Sequence, residues 1–287
     1  MVLGKISAVI FWLAVIVAVL SPFAELEPIR QLDSLEEWQK PSRITALNQA
    51  DQKKVLQRLA YTQPLPTFVS LPDFNQIKNV TEKKRNFFNY LRPYVKRENA
   101  RLRELRRQLL EIQQKRQKRL RVTLEEYAFL YSLCDEFRLD VDEIDETTLT
   151  ELLLRVDVIP DSLVLMQAAN ESAWGTSRFA LEGYNFFGQW CFRIGCGLVP
   201  QERVEGQYHE VASFNSPAAS IKGYFYNLNT FHTYEHLRSI RASLRAENKP
   251  VRGETLAAGL GSYSERGEEY IAEISGMIRV NRKLLEE

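Results

Sequence analysis

The 287-residue sequence has almost no net charge: 38 lysines and arginines stand against 37 aspartates and glutamates, leaving +1 at neutral pH. A near-neutral chain does not call for a nucleic acid or for an acidic partner. No internal repeat of useful length is present, so an array of small repeating units is excluded. Histidine and cysteine are scarce, with three of each, and they do not group into a metal site. His232-Thr233-Tyr234-Glu235-His236 spells the inverted zinc-peptidase motif, yet Asn229-Thr230-Phe231 before it reads as a helix end, and no third ligand stands out. Asp140 to Glu146 is acidic and turn-like but lacks the glycine and the terminal glutamate spacing of a calcium loop. The sequence calls for no metal and no cofactor.

Long hydrophobic runs are missing too, with one exception. Lys5 precedes Ile6 to Leu20, which is apolar but for Ser7; Ser21-Pro22-Phe23-Ala24 and the acidic Glu25 and Glu27 follow. This basic, apolar, acidic order is that of an export segment. The run is short for a membrane span, as in a signal peptide, whereas Pro22 makes cleavage after Ala24 poor, as in an uncleaved anchor. Residues 1–24 are therefore expected to be a signal peptide or an N-terminal membrane anchor. The rest of the chain is then periplasmic, or held at the inner membrane facing the periplasm. An oxidising compartment suits a disulfide between Cys191 and Cys196, which close a small glycine-containing loop; two reduced thiols are the alternative. Cys134 lies in an amphipathic helix and is expected to be a buried thiol.

Residues 25–81 are polar and punctuated by Pro64, Pro66 and Pro72, which reads as a linker with a short helix at Gln49 to Tyr61. A long helix is expected from Thr81. Phe87, Phe88, Leu91 and Val95 share one face, Pro93 marks a kink or boundary, and Leu102, Leu105, Leu109 and Ile112 recur with the spacing of a short coiled-coil or hairpin seam. Arg101, Arg103, Arg106, Arg107, Lys115, Arg116, Lys118, Arg119 and Arg121 flank that seam. They read as a solvated face held by intrahelical Glu–Arg pairs, or as a patch for anionic polymers or lipid headgroups. Residues 82–121 thus form a basic helical region. Further helices are expected at Leu124 to Leu139, Thr147 to Val156, Ala218 to Leu228, Leu237 to Ala246 and Glu268 to Leu285, with a hairpin around Glu205-Gly206. The class is α+β, mainly helical.

Leu163 to Ala169 is apolar or small at nearly every position, so this segment reads as a buried helix. Pro160 and Asp161 suit its start, Glu171 falls at its end, and Gly175 can stop it. A carboxyl group there meets the negative end of the helix dipole and apolar neighbours, which favour the neutral acid over the carboxylate. Such an acid is what protonates a leaving sugar oxygen in glycoside cleavage. The plain alternative is a solvated glutamate at a helix end.

Ala169-Asn170-Glu171-Ser172-Ala173-Trp174-Gly175 resembles the Ala-Leu-Glu-Ser-Gly-Trp-Gly motif of glycoside hydrolase family 73, bacterial N-acetylglucosaminidases with a lysozyme-like fold. Tyr184-Asn185-Phe186-Phe187-Gly188 is similar to the family's Asn-Leu-Phe-Gly, and Phe214-Asn215-Ser216, Tyr224, Tyr263 and Tyr270 continue the likeness in order. One bacterial branch of the superfamily is matched more closely, through Gly188-Gln189-Trp190-Cys191, Gly195-Cys196-Gly197 and Tyr263-Ser264-Glu265-Arg266-Gly267.

The resemblance covers residues 122–287. It implies a lysozyme-like glucosaminidase domain there, with an N-terminal helical extension before it. It further implies an exported peptidoglycan hydrolase of the endo-β-N-acetylglucosaminidase type, acting on β-1,4 bonds of the glycan strand with Glu171 as general acid. Membrane association through the N-terminal segment is a further expectation. A second carboxylate is implied on the hairpin, as Glu202 or alternatively Glu205; the sugar's own acetamido group is another route. Tyr263 matches the family's active-site tyrosine. Trp174, Trp190 and Tyr224 are expected to line a sugar groove, where flat rings cover pyranose faces. Two other readings stay open: a lytic transglycosylase, and a catalytically inactive glycan-binding or scaffold protein.

Overall fold

A computed structural model describes residues 49–59, 70–201 and 209–287. The expected export segment and the larger part of the expected linker lie outside the described residues. Among the described residues no helix is long and apolar enough to cross a membrane.

The longest element is α2 (Val80–Gln117), preceded by α1 (Gln49–Leu59). Asn79 caps α2 by accepting the Glu82 N–H. Pro93 lies inside the helix and does not end it. Its missing N–H removes one intrahelical bond, but Leu91, Tyr94 and Val95 around it are all buried, and that packing carries the helix through. The seam of Leu102, Leu105, Leu109 and Ile112 is buried as expected, though not in a coiled coil. It belongs to one hydrophobic cluster with α3 (Leu124–Glu136), α4 (Glu146–Arg155) and α5 (Asp161–Glu171). The expected basic region is thus the spine of the same core as the residues after it.

The basic flank is partly consumed by that arrangement. Arg101 pairs with Glu98 and Glu136, Lys115 with Glu126, and Arg116 with Glu146. Arg106 donates to the carbonyls of Leu153 and Val156. Only part of this set is intrahelical, as in Arg107 with Glu104 and Glu111.

The short helix expected within the linker is present as α1, and the described parts of that stretch pack on the core at two places. Helix α1 buries Val55 and lies against α3, with Lys54 Nζ 2.6 Å from Glu125. Phe74, in a single 3-10 turn capped by Asp73, is fully buried edge-on to Phe87 and Tyr90. An aromatic ring that can leave water outweighs the polar, proline-marked sequence around it.

Helix α5 is enclosed by α2, α9 (Gly253–Ala257), α10 (Glu268–Val280) and α11 (Arg282–Glu286). The helix expected over 268–285 is interrupted at Asn281, which separates α10 from α11. After α5 come α6 (Arg178–Gly183), a small sheet, α7 (Pro217–Thr230) and α8 (Glu235–Ala246). The sheet joins β1 (Trp190–Cys191), β2 (Gly197–Leu198) and β3 (Glu210–Ala212) in the antiparallel order β1-β3-β2. His232 stands in a 3-10 turn and His236 in α8, so the four-residue spacing of the inverted zinc motif does not fall on one helix.

The turn between α4 and α5 sets where α5 begins. Asn99 of α2 accepts the Ile159 N–H at 3.0 Å and donates to the Ile159 carbonyl and Asp161, both at 2.7 Å. Asp157 is buried and faces three guanidinium groups: Arg245 at 2.8 Å, Arg106 at 3.6 Å and Arg241 at 3.8 Å. Arg241, itself buried, also donates to the carbonyls of Leu154 and Val158. Burial alone would raise the Asp157 carboxyl, but the hydrogen bond from Arg245 and the charges of Arg241 and Arg106 outweigh it and hold the group below its ordinary range.

A carboxylate depressed on folding contributes stability that is complete above the unfolded value, about 3.9, and is lost as pH falls through the folded value. Asp157→Asn should therefore cost about 3–5 kcal/mol in urea unfolding at pH 7, because it leaves buried guanidinium groups unpaired. The gap from wild type should narrow below about pH 4. A gap that holds constant down to acid pH would show that the charge of Asp157 does not contribute.

Candidate active site

Glu171 is the last residue of α5 and is half-buried. The chain behind it turns sharply: Ala173, Trp174 and Gly175 have φ of 50°, 60° and 77°. Left-handed backbone costs a non-glycine residue about 1–2 kcal/mol, so something must hold this turn. Ser172 does so from a fully buried position, donating to the Ala168 carbonyl at 2.6 Å and accepting the Gly175 N–H at 2.9 Å. Trp174 closes the turn by packing on Phe87 and Phe88 of α2, with ring centroids at 5.8 and 5.4 Å and Lys84 over its ring. At Gly175 a Cβ would come within 2.7 Å of the Phe74 ring, so only glycine fits both the angle and the space. Trp174, expected in the sugar groove, is half-buried and packs its ring on the core.

A chain of hydrogen bonds runs through the interior to Glu171. The Tyr224 hydroxyl donates to Gln167 Oε1 at 2.5 Å, Gln167 Nε2 donates to the Tyr270 oxygen at 2.9 Å, and the Tyr270 hydroxyl donates to Glu171 Oε1 at 2.8 Å. Asn170 Nδ2 adds a donor to the same carboxyl oxygen at 3.2 Å. Tyr224 is buried and stacks on Phe187 with centroids 4.1 Å apart, so it too is not a groove-lining ring. Tyr263 stacks on Tyr270 at 5.4 Å and gives its proton to the Phe187 carbonyl at 3.0 Å. It therefore borders the acid's neighbourhood through Tyr270. Burial pushes all three phenols above their ordinary range; Tyr270 is raised further by the charge of Glu171, and Tyr263 by the neighbouring Tyr270. All three stay protonated and remain donors at physiological pH.

The loop before the sheet is built on Asn185, which is buried. Its Nδ2 donates to the carbonyls of Gln189 and Ala212 at 2.8 Å each, and its Oδ1 accepts from Phe187 and Gln189. This ties Phe187, and with it Tyr224 and Tyr263, to β3. Trp190 starts β1, is 59% exposed, and stacks on His209 with centroids 4.3 Å apart. Of the three expected groove aromatics it is the most open to solvent; Trp174 is half-buried and Tyr224 buried. Cys191 and Cys196 are joined in a disulfide with Cα atoms 6.2 Å apart. Glu210 accepts the N–H groups of Gly195 and Gly197 at 3.0 and 2.8 Å, so the loop is fastened to β3 twice. Cys134 is buried in α3.

Glu202 and Glu205, with the expected hairpin tip, lie outside the described residues; the antiparallel strands β2 and β3 flank them. Gln167, which completes the Glu171 environment, had no role in the sequence reading, and Tyr270 entered it through the family likeness but not as a partner of Glu171. A signal for Gln167 was present: it is a lone polar residue in an apolar run, four positions before Glu171 and so on the same helix face.

Residues 147–283 match the glucosaminidase family described as mannosyl-glycoprotein endo-beta-N-acetylglucosaminidase. The chain is similar to Protein bax of Escherichia coli (strain K12), with 32% identity over 218 residues that cover 75% of this chain and 76% of that protein. No solved structure matches the chain.

Thiol labelling of the denatured, unreduced protein isolated from an oxidising compartment should modify Cys134 alone. Three modified cysteines would show that the Cys191–Cys196 bond does not form there.

Proposed function

The chain belongs to the Bax-like glucosaminidase-domain proteins, and from that we propose that it is an exported peptidoglycan hydrolase, cleaving β-1,4 bonds of the glycan strand as an endo-β-N-acetylglucosaminidase. The observation that carries this reading is the environment of Glu171. A half-buried carboxyl group ends a buried helix, receives two donors on Oε1, and has no hydrogen bond to Oε2 from any of the described residues. An acid so placed gives its proton to the glycosidic oxygen as the bond breaks, and Tyr270 and Asn170 then hold the carboxylate that remains.

The second role, base or nucleophile, falls to Glu202 on the connection between β2 and β3, or to the substrate's acetamido group. Trp190 offers the open ring on which a sugar face can rest. The apolar N-terminal segment and the paired cysteines support a periplasmic location, free or anchored at the inner membrane.

Digestion of purified peptidoglycan by the full chain, with mass spectrometry of the products, tests the reading. Reducing N-acetylglucosamine ends are expected; anhydro ends would make the protein a lytic transglycosylase, and intact glycan would make it a binding protein. Glu171→Gln should lower turnover by about 10²–10⁴-fold while the fold persists. Turnover near wild type in that variant would remove Glu171 from the mechanism.

A separate measurement addresses the second carboxylate. Glu202→Gln should reduce activity by orders of magnitude and Glu205→Gln far less. If neither matters, the acetamido route takes over the role; a large loss from Glu205→Gln alone would exchange the two.

A further inference from the structure

Glu171 Oε1 and Oε2 are not equivalent, and the buried side chains behind α5 decide which of them can carry the acid's proton. Gln167 is fully buried, and its amide has two partners, the hydroxyls of Tyr224 and Tyr270. A tyrosine hydroxyl has one proton to give. Among the described residues Gln167 is the hydrogen-bond partner of Tyr224, so its proton goes to Oε1 of the amide. That turns Nε2 toward Tyr270, whose oxygen must then accept. Tyr270 in turn spends its single proton on Glu171 Oε1. Asn170 also donates to Oε1, so this oxygen receives two protons from neighbours and is closed to a third.

Turning the Gln167 amide over would reverse the chain. Tyr270 would donate to Gln167, Glu171 would carry its proton on Oε1 and donate it inward to Tyr270, and the Tyr224 proton would be left without an acceptor. A buried unmatched donor costs about 1–3 kcal/mol, which disfavours the reversed arrangement.

We propose that Tyr224, Gln167 and Tyr270 form a one-way hydrogen-bond chain of positioning residues that confines the proton of Glu171 to Oε2, the oxygen left free for the substrate. The inference rests on the reading of Glu171 as the general acid. No proton travels along the chain: each phenol keeps its own, and what is transmitted from Tyr224 is direction. Tyr224 makes its contribution from inside the core, with no contact to the glycan.

Neutron diffraction from crystals of the deuterated full chain reads the direction without reference to activity. Deuterium is expected on the Tyr224 oxygen pointing to Gln167 Oε1, and on the Tyr270 oxygen pointing to Glu171 Oε1. A Tyr270 deuterium pointing to Gln167 would overturn the proposal.

Tyr224→Phe keeps the ring stacked on Phe187 and removes only the hydroxyl, so the amide becomes free to turn. It should lower kcat about tenfold and leave KM within about twofold, because the substrate meets an unchanged surface while part of the acid is misdirected. Thermal unfolding monitored alongside checks that the variant is folded; an unchanged kcat in folded Tyr224→Phe would overturn the proposal. Should Glu171→Gln retain wild-type turnover, the functional reading falls, and the neutron map still decides the direction of the chain.

Discussion

A carboxyl group at the end of a helix is placed only as well as the helix is held, and α5 is held at both ends by polar groups that have left water. At its start, Asn99 and the Asp157–arginine cluster fix the turn from which it grows. At its end, the buried hydroxyl of Ser172 and the ring of Trp174 fix the strained turn into which it runs. Between these points Gln167 is tied to α7 and α10 through two tyrosines. Buried polar groups are costly unless every partner is in place, so these contacts specify one position for α5 where apolar packing alone would tolerate several.

Much of this architecture could be read from the residues in order. The longer helices and the buried α5 with Glu171 at its end follow from periodicity and capping signals, and the spacing of Cys191 and Cys196 allowed the disulfide that joins them, whereas the short α6 and α9 were not foreseen. The aromatics were less legible. Trp174, Trp190 and Tyr224 are the same kind of residue to a sequence reader, yet one closes a turn, one lies open beside the sheet and one is sealed in the core. What separates them is tertiary: Trp174 finds Phe87 and Phe88 across from it, and Tyr224 finds Gln167. Neither partner is local in sequence. Pro93 is not a boundary for a related reason, since burial on both sides of it outweighs one lost hydrogen bond. Phe74, in a stretch whose composition says linker, misled because one buried ring counts for more than the polar residues around it.

The arginines of α2 show the same limit. They read as a solvated face of intrahelical pairs, or as a patch for anionic polymers, but Arg101, Arg106 and Arg116 reach across to other elements, to Glu136, to the α4 carbonyls and to Glu146. Guanidinium groups are well suited to that work, since one planar head can satisfy several backbone carbonyls at once.

The glucosaminidase match begins at residue 147, while Phe74, Phe87 and Phe88 stand well before it, within the longer likeness to Protein bax. Those three rings pack directly on the turn that follows Glu171: Phe74 against Gly175, and Phe87 and Phe88 against Trp174. The unit that chemistry would select and the unit that folds are therefore different lengths of chain. In terms of modularity, the glucosaminidase portion taken alone is not a portable one. A recombination event or a truncation that respected the boundary of the match would carry Glu171 into a new context and leave behind the side chains that hold it still.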